Sequence, residues 1–216
     1  MILTGTIQKV TDGKGFWVAV PCQETHIIDT RQITSAEVRL DDGRTISHDQ
    51  RKKIHATIRD IAVFTGHETE ELKGILKCEY IARTGAEWFS LSDCSVTTAN
   101  DFLQFLIEFC VENDFPTADN PIDRAPDISR YLYFCLVNKV CAICGQKAEM
   151  HHEDHVGAGR NRKEVMHLGM RAQALCRKHH TECHSTGQHT FNGKYKVFGI
   201  RLDSELCGVW KLKGGK

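Results

Sequence analysis

The chain has 216 residues, enough to bury a normal core in one or two compact domains. Hydrophobic residues make up 41% and charged residues 26%, and 28 Lys and Arg balance 28 Asp and Glu, so the total charge argues neither for nor against nucleic acid. The apolar runs FLQFLIEFCV and YLYFCLV are too short to span a bilayer. The start, MILTGTIQKV, lacks the pattern of a secretory signal, so a cytoplasmic protein without membrane contact is expected.

In chain order, ILTGTIQKV and FWVAV flank TDGKG and predict a β-hairpin, and SAEVRLDDGRTIS alternates again around an Asp-Gly pair. The period then changes. Ser47 with Gln50 three residues on predicts a capping box, Ile54, Ile58 and Ile61 form an apolar helical stripe, and Gly66 supplies a stop. A second helix is expected over ETEELKGILKCEYIART and a short strand over FSLSDCSVT. A third helix is expected over TTANDFLQFLIEFCVENDF, capped by Thr97, Thr98 or Asn100. Pro116, Pro121 and Pro126 lie in a stretch rich in Asp and Asn, which marks a connector or boundary. SRYLYFCLVNKV then predicts a short helix leading into Cys141, and the final KLKGGK is expected to fray. The fold class is α+β. The expected division is 1–118 as an α+β domain, 119–130 as a linker, 131–200 as a small metal-dependent domain and 201–216 as a tail.

Ten cysteines in a chain of this length without an export signal point to a metal or redox site rather than a disulfide framework. Two spacings carry that reading: Cys141-x2-Cys144 and Cys176-x2-His179. A structural zinc takes four Cys or His ligands, commonly as two close pairs on separate knuckles, and Gly145 relaxes the first tight turn. A redox dithiol lacks the β-α-β context it needs. Cys183 is the best rival ligand. Eight of the twelve histidines lie between His151 and His189, more than one zinc uses. His180 and His184 at i and i+4 project from one face of a predicted helix, while His151 and His152 follow the first knuckle. A second, hydrolytic metal site is the better account of the group. Between the clusters, HVGAGRNRKEVMH offers glycines for close approach to a phosphate, with Arg160, Asn161 and Arg162 beside them. Arg51, Lys52 and Lys53 form a basic helix start able to meet phosphates, or a solvated charged face.

A cysteine knuckle, a His-His strand end, a Gly/Asn/Arg loop and LC-x2-HH-x3-H together resemble the HNH endonuclease family, over about Cys141 to Gly187. The resemblance implies a ββα-metal fold that hydrolyses DNA. It makes His152 the general base, with His151, His180 and His184 as ligands of a catalytic divalent ion (Mg²⁺, Mn²⁺ or Zn²⁺). Cys141, Cys144, Cys176 and His179 become the structural zinc site. Asp154–His155 offers a competing register with the Asp-His order common in that family. The family's middle residue falls to Asn161 or His167. Residues 40 to 118, with SHDQRKK opening a helix, resemble the phage Orf/NinB recombination mediators. That second resemblance implies single-stranded DNA binding, partnership with single-strand-binding protein and homodimerisation. Two functions follow: a nuclease fused to a DNA-binding domain, or a non-catalytic mediator whose zinc domain only binds DNA.

Overall fold

The computed structural model describes residues 6–11, 15–20, 43–154 and 166–214. β1 (Thr6–Thr11) and β2 (Gly15–Ala19) pair antiparallel as the expected hairpin, with a bulge between Ile7 and Lys9. Most of the alternating stretch at 35–47 lies outside the described residues, and from its end Thr45 bridges Ser95.

Helix α1 (His48–Thr65) starts on the capping box read from the sequence. The Gln50 amide donates to Ser47 Oγ at 3.2 Å, and the Ser47 amide donates to Gln50 Oε1 at 2.8 Å. Gly66 ends it in the left-handed conformation, at φ 76°. Ile54, Ile58 and Ile61 are buried as a stripe. α2 (Thr69–Thr84) follows. The stretch 89–94 is a turn and not a strand, Ser95 makes only the single bridge to Thr45, and Val96 and Thr97 already belong to the next helix; the carbonyls of Phe89, Leu91 and Ser92 are met by cationic side chains instead of a neighbouring strand. Lys77 Nζ donates to the Phe89 carbonyl at 2.9 Å, and Arg51 donates to those of Leu91 and Ser92 at 2.9 and 2.7 Å. The cap of α3 (Val96–Glu112) is also corrected. Ser95 fills it, accepting from the Thr98 amide at 3.0 Å, rather than Thr97, Thr98 or Asn100. α3 is buried on nearly every face, because α1 and α2 pack on it from one side and the helix preceding Cys141 from another.

The connector is docked rather than loose. It holds the turn α4 (Pro121–Arg124), and the Arg124 guanidinium is buried against Asp60 Oδ2 at 2.7 Å, Asp119 Oδ2 at 3.1 Å and Thr57 Oγ1 at 3.1 Å. α5 (Ile128–Asn138) begins inside it and carries the chain to the first knuckle. β3 (Glu149–His152) and β4 (Arg171–Leu175) then pair antiparallel, followed by α6 (Arg177–Thr186) and α7 (Gln188–Tyr195). β5 (Ile200–Arg201) completes a sheet of order β3-β4-β5, and α8 (Ser204–Val209) packs against α5. The first part of the expected tail therefore holds the end of β5 and α8. Asp203 caps α8 through the Leu206 amide at 2.8 Å, and Leu202, Leu206 and Cys207 bury an apolar face. One cluster of buried apolar residues runs from Ile46 to Cys207, and the architecture is α+β. No helix among the described residues is long and apolar enough to cross a membrane.

Candidate active site

The two cysteine–histidine pairs meet. Cys141 and Cys144 sit on a turn whose tightness Gly145 absorbs at φ 70°, with the Gly145 amide on the Cys141 carbonyl at 2.9 Å. Cys176 precedes α6 and His179 lies in its first turn. One ligand atom from each of the four residues falls within 4.8 Å of the others. The individual edges are Cys141 Sγ–His179 Nδ1 3.4 Å, Cys176 Sγ–His179 Nδ1 3.3 Å and Cys144 Sγ–Cys176 Sγ 3.7 Å. A tetrahedron built on zinc–ligand bonds of ~2.0–2.3 Å has edges of roughly 3.3–3.8 Å, and these three edges fall in that range, so the donor set suits zinc. Burial pushes the Cys141 and Cys144 thiols up. Burial also resists a Cys176 thiolate, yet the amides of His179 and Lys178 bring that thiol below its ordinary value. Three thiols this close need a cation to ionise together. Cys183, the rival ligand, lies elsewhere: its sulfur is 3.5 Å from His151 Nε2.

His151, His180 and His184 form a second group, each offering a nitrogen within 4.8 Å of the others. His151 is buried under β3, and His180 and His184 stack on α6 with ring centroids 4.9 Å apart. The surrounding groups fix which nitrogens face the centre. Glu149 Oε2 lies 3.2 Å from His180 Nδ1, and a carboxylate beside Nδ1 places the proton there and leaves the lone pair on Nε2. The same contact holds the Glu149 carboxyl below its usual range. Around His151 the chain is longer. Glu153 Oε1 accepts from Gln173 Nε2 at 2.6 Å, Gln188 Nε2 at 3.1 Å, Asn192 Nδ2 at 2.8 Å and the Gly199 amide at 2.8 Å. Gly199 is required there, since a Cβ would sit 2.6 Å from that carboxylate. An ionised carboxylate only accepts, so it orients the Gln188 amide with Oε1 toward His151 Nε2, at 2.6 Å. His151 Nε2 therefore carries the proton and Nδ1 the lone pair. Burial lowers the His151 pKa, the Gln188 contact opposes this, and His180 and His184 add to it, which keeps the ring neutral as a ligand must be. Replacing Gln188 by Leu is expected to weaken divalent-ion binding by the histidine group ~10–100-fold, read by chelator competition, with zinc in the cysteine set retained.

His152 points to the other face of β3, since successive strand residues alternate. Its Nε2 lies 3.0 Å from Nδ1 of the buried His167, so one of the two rings donates and the other accepts. His167, one of the two candidates for the orienting role, is thus in contact with His152. Asn161, its sequence rival, lies outside the described residues, as do His155, Arg160 and Arg162. Asp154, of the competing register, is taken by Arg171: its Oδ2 accepts from the Arg171 amide at 2.6 Å and its Oδ1 lies 3.2 Å from Nη2. Of the basic helix start, only Lys52 is exposed. Arg51 holds the 91–92 carbonyls, and Lys53 Nζ reaches the Asp123 carbonyl at 3.2 Å. Sequence reasoning missed Glu149, Glu153 and Gln188. Gln188, in the LCRKHHTECHSTGQH cluster, follows the last ligand His184 by four residues, which was its only signal.

A strand pair followed by a helix thus carries one sulfur-rich and one all-imidazole group of residues, each able to hold a metal ion. A protein-family model described as "Putative HNHc nuclease" matches residues 18–213, and the chain belongs to that HNHc family. No curated protein and no solved structure gave a match.

Proposed function

We propose that this protein is a metal-dependent HNH endonuclease that hydrolyses phosphodiester bonds in DNA. The observation that carries the reading is the His151–His180–His184 group set apart from the cysteine set, with the His152–His167 pair on the opposite face of the same strand. A purely structural zinc unit has no use for the second group. In this reading Cys141, Cys144, Cys176 and His179 hold structural zinc and tie the turn before β3 to the start of α6. His151, His180 and His184 would hold the catalytic divalent ion, which would supply positive charge near the scissile phosphate. An all-imidazole set suits zinc or another borderline transition metal better than Mg²⁺. His152 accepts the proton of the attacking water as the new O–P bond forms and the opposite P–O bond breaks, and His167 holds its ring in place.

The region up to about residue 118 is proposed to act as the Orf/NinB-like part. It would bind single-stranded or branched DNA in the cytoplasm, contact single-strand-binding protein and pair as a homodimer during phage recombination. The 131–200 unit would carry the ββα-metal chemistry, with 119–130 as the docked segment between them. The test is metal content and nicking of DNA measured on one preparation, with Mg²⁺, Mn²⁺ and Zn²⁺ added in turn. Cleavage that depends on the added ion supports the enzyme. Full structural zinc with no cleavage of single-stranded, duplex or branched DNA under any ion sinks it and leaves the non-catalytic mediator.

A further inference from the structure

Away from both ligand sets, α1, α2 and the 89–92 turn border an open cavity of about 350 Å³ lined by Arg51, His55, Lys73, Lys77, Ser90 and Ser92. Its charge is lopsided. Lys73 pairs with the exposed Glu70, and the Ser92 hydroxyl donates to Asp93 at 3.1 Å on the turn. Among the described residues neither Arg51 nor Lys77 comes within ion-pair distance of a carboxylate. Their hydrogen bonds go to backbone carbonyls, which carry no full charge, and Lys77 is 7% exposed. Of its three N–H donors, the Phe89 carbonyl takes one. A buried cation without a counter-charge is costly, and a bound anion is the direct remedy. The same crowding shows in the titration of the pocket. Burial lowers the Lys77 pKa with Lys73 adding to it, and burial, Lys73, Arg51 and Arg59 lower His55 against Glu70. At the rim stands Trp88, 67% exposed, with the Lys77 ammonium 5.3 Å from its ring.

We propose that this cavity is a second nucleic-acid contact, in which Arg51, Lys73 and Lys77 hold a backbone phosphate of a single DNA strand and Trp88 stacks the adjoining base. Cationic pockets paired with an exposed aromatic platform are the usual means of holding a single strand without reading its sequence. The inference rests on DNA being the substrate, but it does not depend on cleavage. It also relocates the charge that meets the strand: not the row Arg51, Lys52 and Lys53, but the converging set from two helices.

The probe is a fluorescently labelled oligothymidylate titrated into the full-length protein, with no divalent ion added, over a series of salt concentrations. Arg51→Gln and Lys77→Met should each weaken binding and lower the magnitude of the log–log salt slope by ~0.7 for each phosphate no longer neutralised. Trp88→Ala should weaken binding at least ~5-fold with the slope unchanged, as removal of a stacking platform does. Lys77 is buried, so Lys73→Gln and Trp88→Ala, both on the solvent side, carry the test if Lys77→Met fails to fold. Affinity and slope unchanged in Lys73→Gln, Arg51→Gln and Trp88→Ala overturn the proposal. So does displacement of the oligonucleotide by polyglutamate or inorganic phosphate at matched charge concentration, which makes the cavity a general anion site. If no metal supports cleavage but the variants still release the oligonucleotide, the nuclease reading falls and this site stands.

Discussion

His152→Ala is expected to lower the rate of DNA cleavage by ~10²–10⁴-fold while leaving divalent-ion affinity nearly intact. The two effects separate because His152 meets His167 on one face of β3, whereas His151 meets His180 and His184 on the other. His151→Ala and His180→Ala should do the converse, weakening the ion so that raised Mn²⁺ partly restores the rate. His167→Ala should fall between, because the base remains but is deprived of the group that fixes its ring. Single-turnover cleavage alongside a metal titration distinguishes these outcomes. The competing register makes a different forecast, in which Asp154→Ala loses metal and His155→Ala loses chemistry. With both Asp154 oxygens on Arg171, Asp154→Ala is expected instead to loosen β4 without stripping the ion. Full activity in His152→Ala with none in His155→Ala would move the base to His155.

Cys176→Ser, and equally Cys141→Ser, is expected to release zinc and unfold the C-terminal half. The metal's contribution to such units is on the order of 10 kcal/mol, larger than the net stability of most domains. The damage should spread, because Cys141 and Cys176 belong to the same buried cluster as Tyr131 and Leu136 of α5 and Leu175 of β4. Loss of zinc by atomic absorption together with a lowered, broadened thermal transition is the expected pair of readings. A variant with stoichiometric zinc and an unaltered transition would reject the four-ligand set. Cys183→Ser is the control: its sulfur belongs to the histidine side and should keep the zinc.

What was legible in the sequence was short-range. The Ser47–Gln50 box, the isoleucine stripe, the two knuckle spacings and the i, i+4 histidines each follow from neighbours within one turn of helix or one tight loop. What was not legible depended on partners far along the chain. The 89–97 stretch has strand-like residues, but Arg51 and Lys77 reach its carbonyls from other helices, and no local pattern records that. Ser95 won the cap of α3 over Thr97 and Thr98, because several capping residues in a row leave propensity alone unable to choose. Glu153 and Gln188 are 35 residues apart and come together only through the β3-β4 turnback and α7. Between 201 and 214 the apolar residues Leu202, Leu206 and Cys207 were overlooked beside the glycines and lysines that follow them.

Two adjacent histidines facing opposite sides of one strand make the site unusually sensitive to insertion and deletion. A strand shifted by one residue against its neighbour exchanges its faces. Such a slip in β3 would carry the proposed base to the ion and a proposed ligand to His167, with every side chain still present and both roles abolished. Four paired residues, the buried Glu153 and the Asp154–Arg171 clamp all stand against that slip. Lineages descended from this chain should therefore vary in length before β3 or beyond the clamp, while the stretch from Glu149 to Asp154 keeps its residue count even where its residues change.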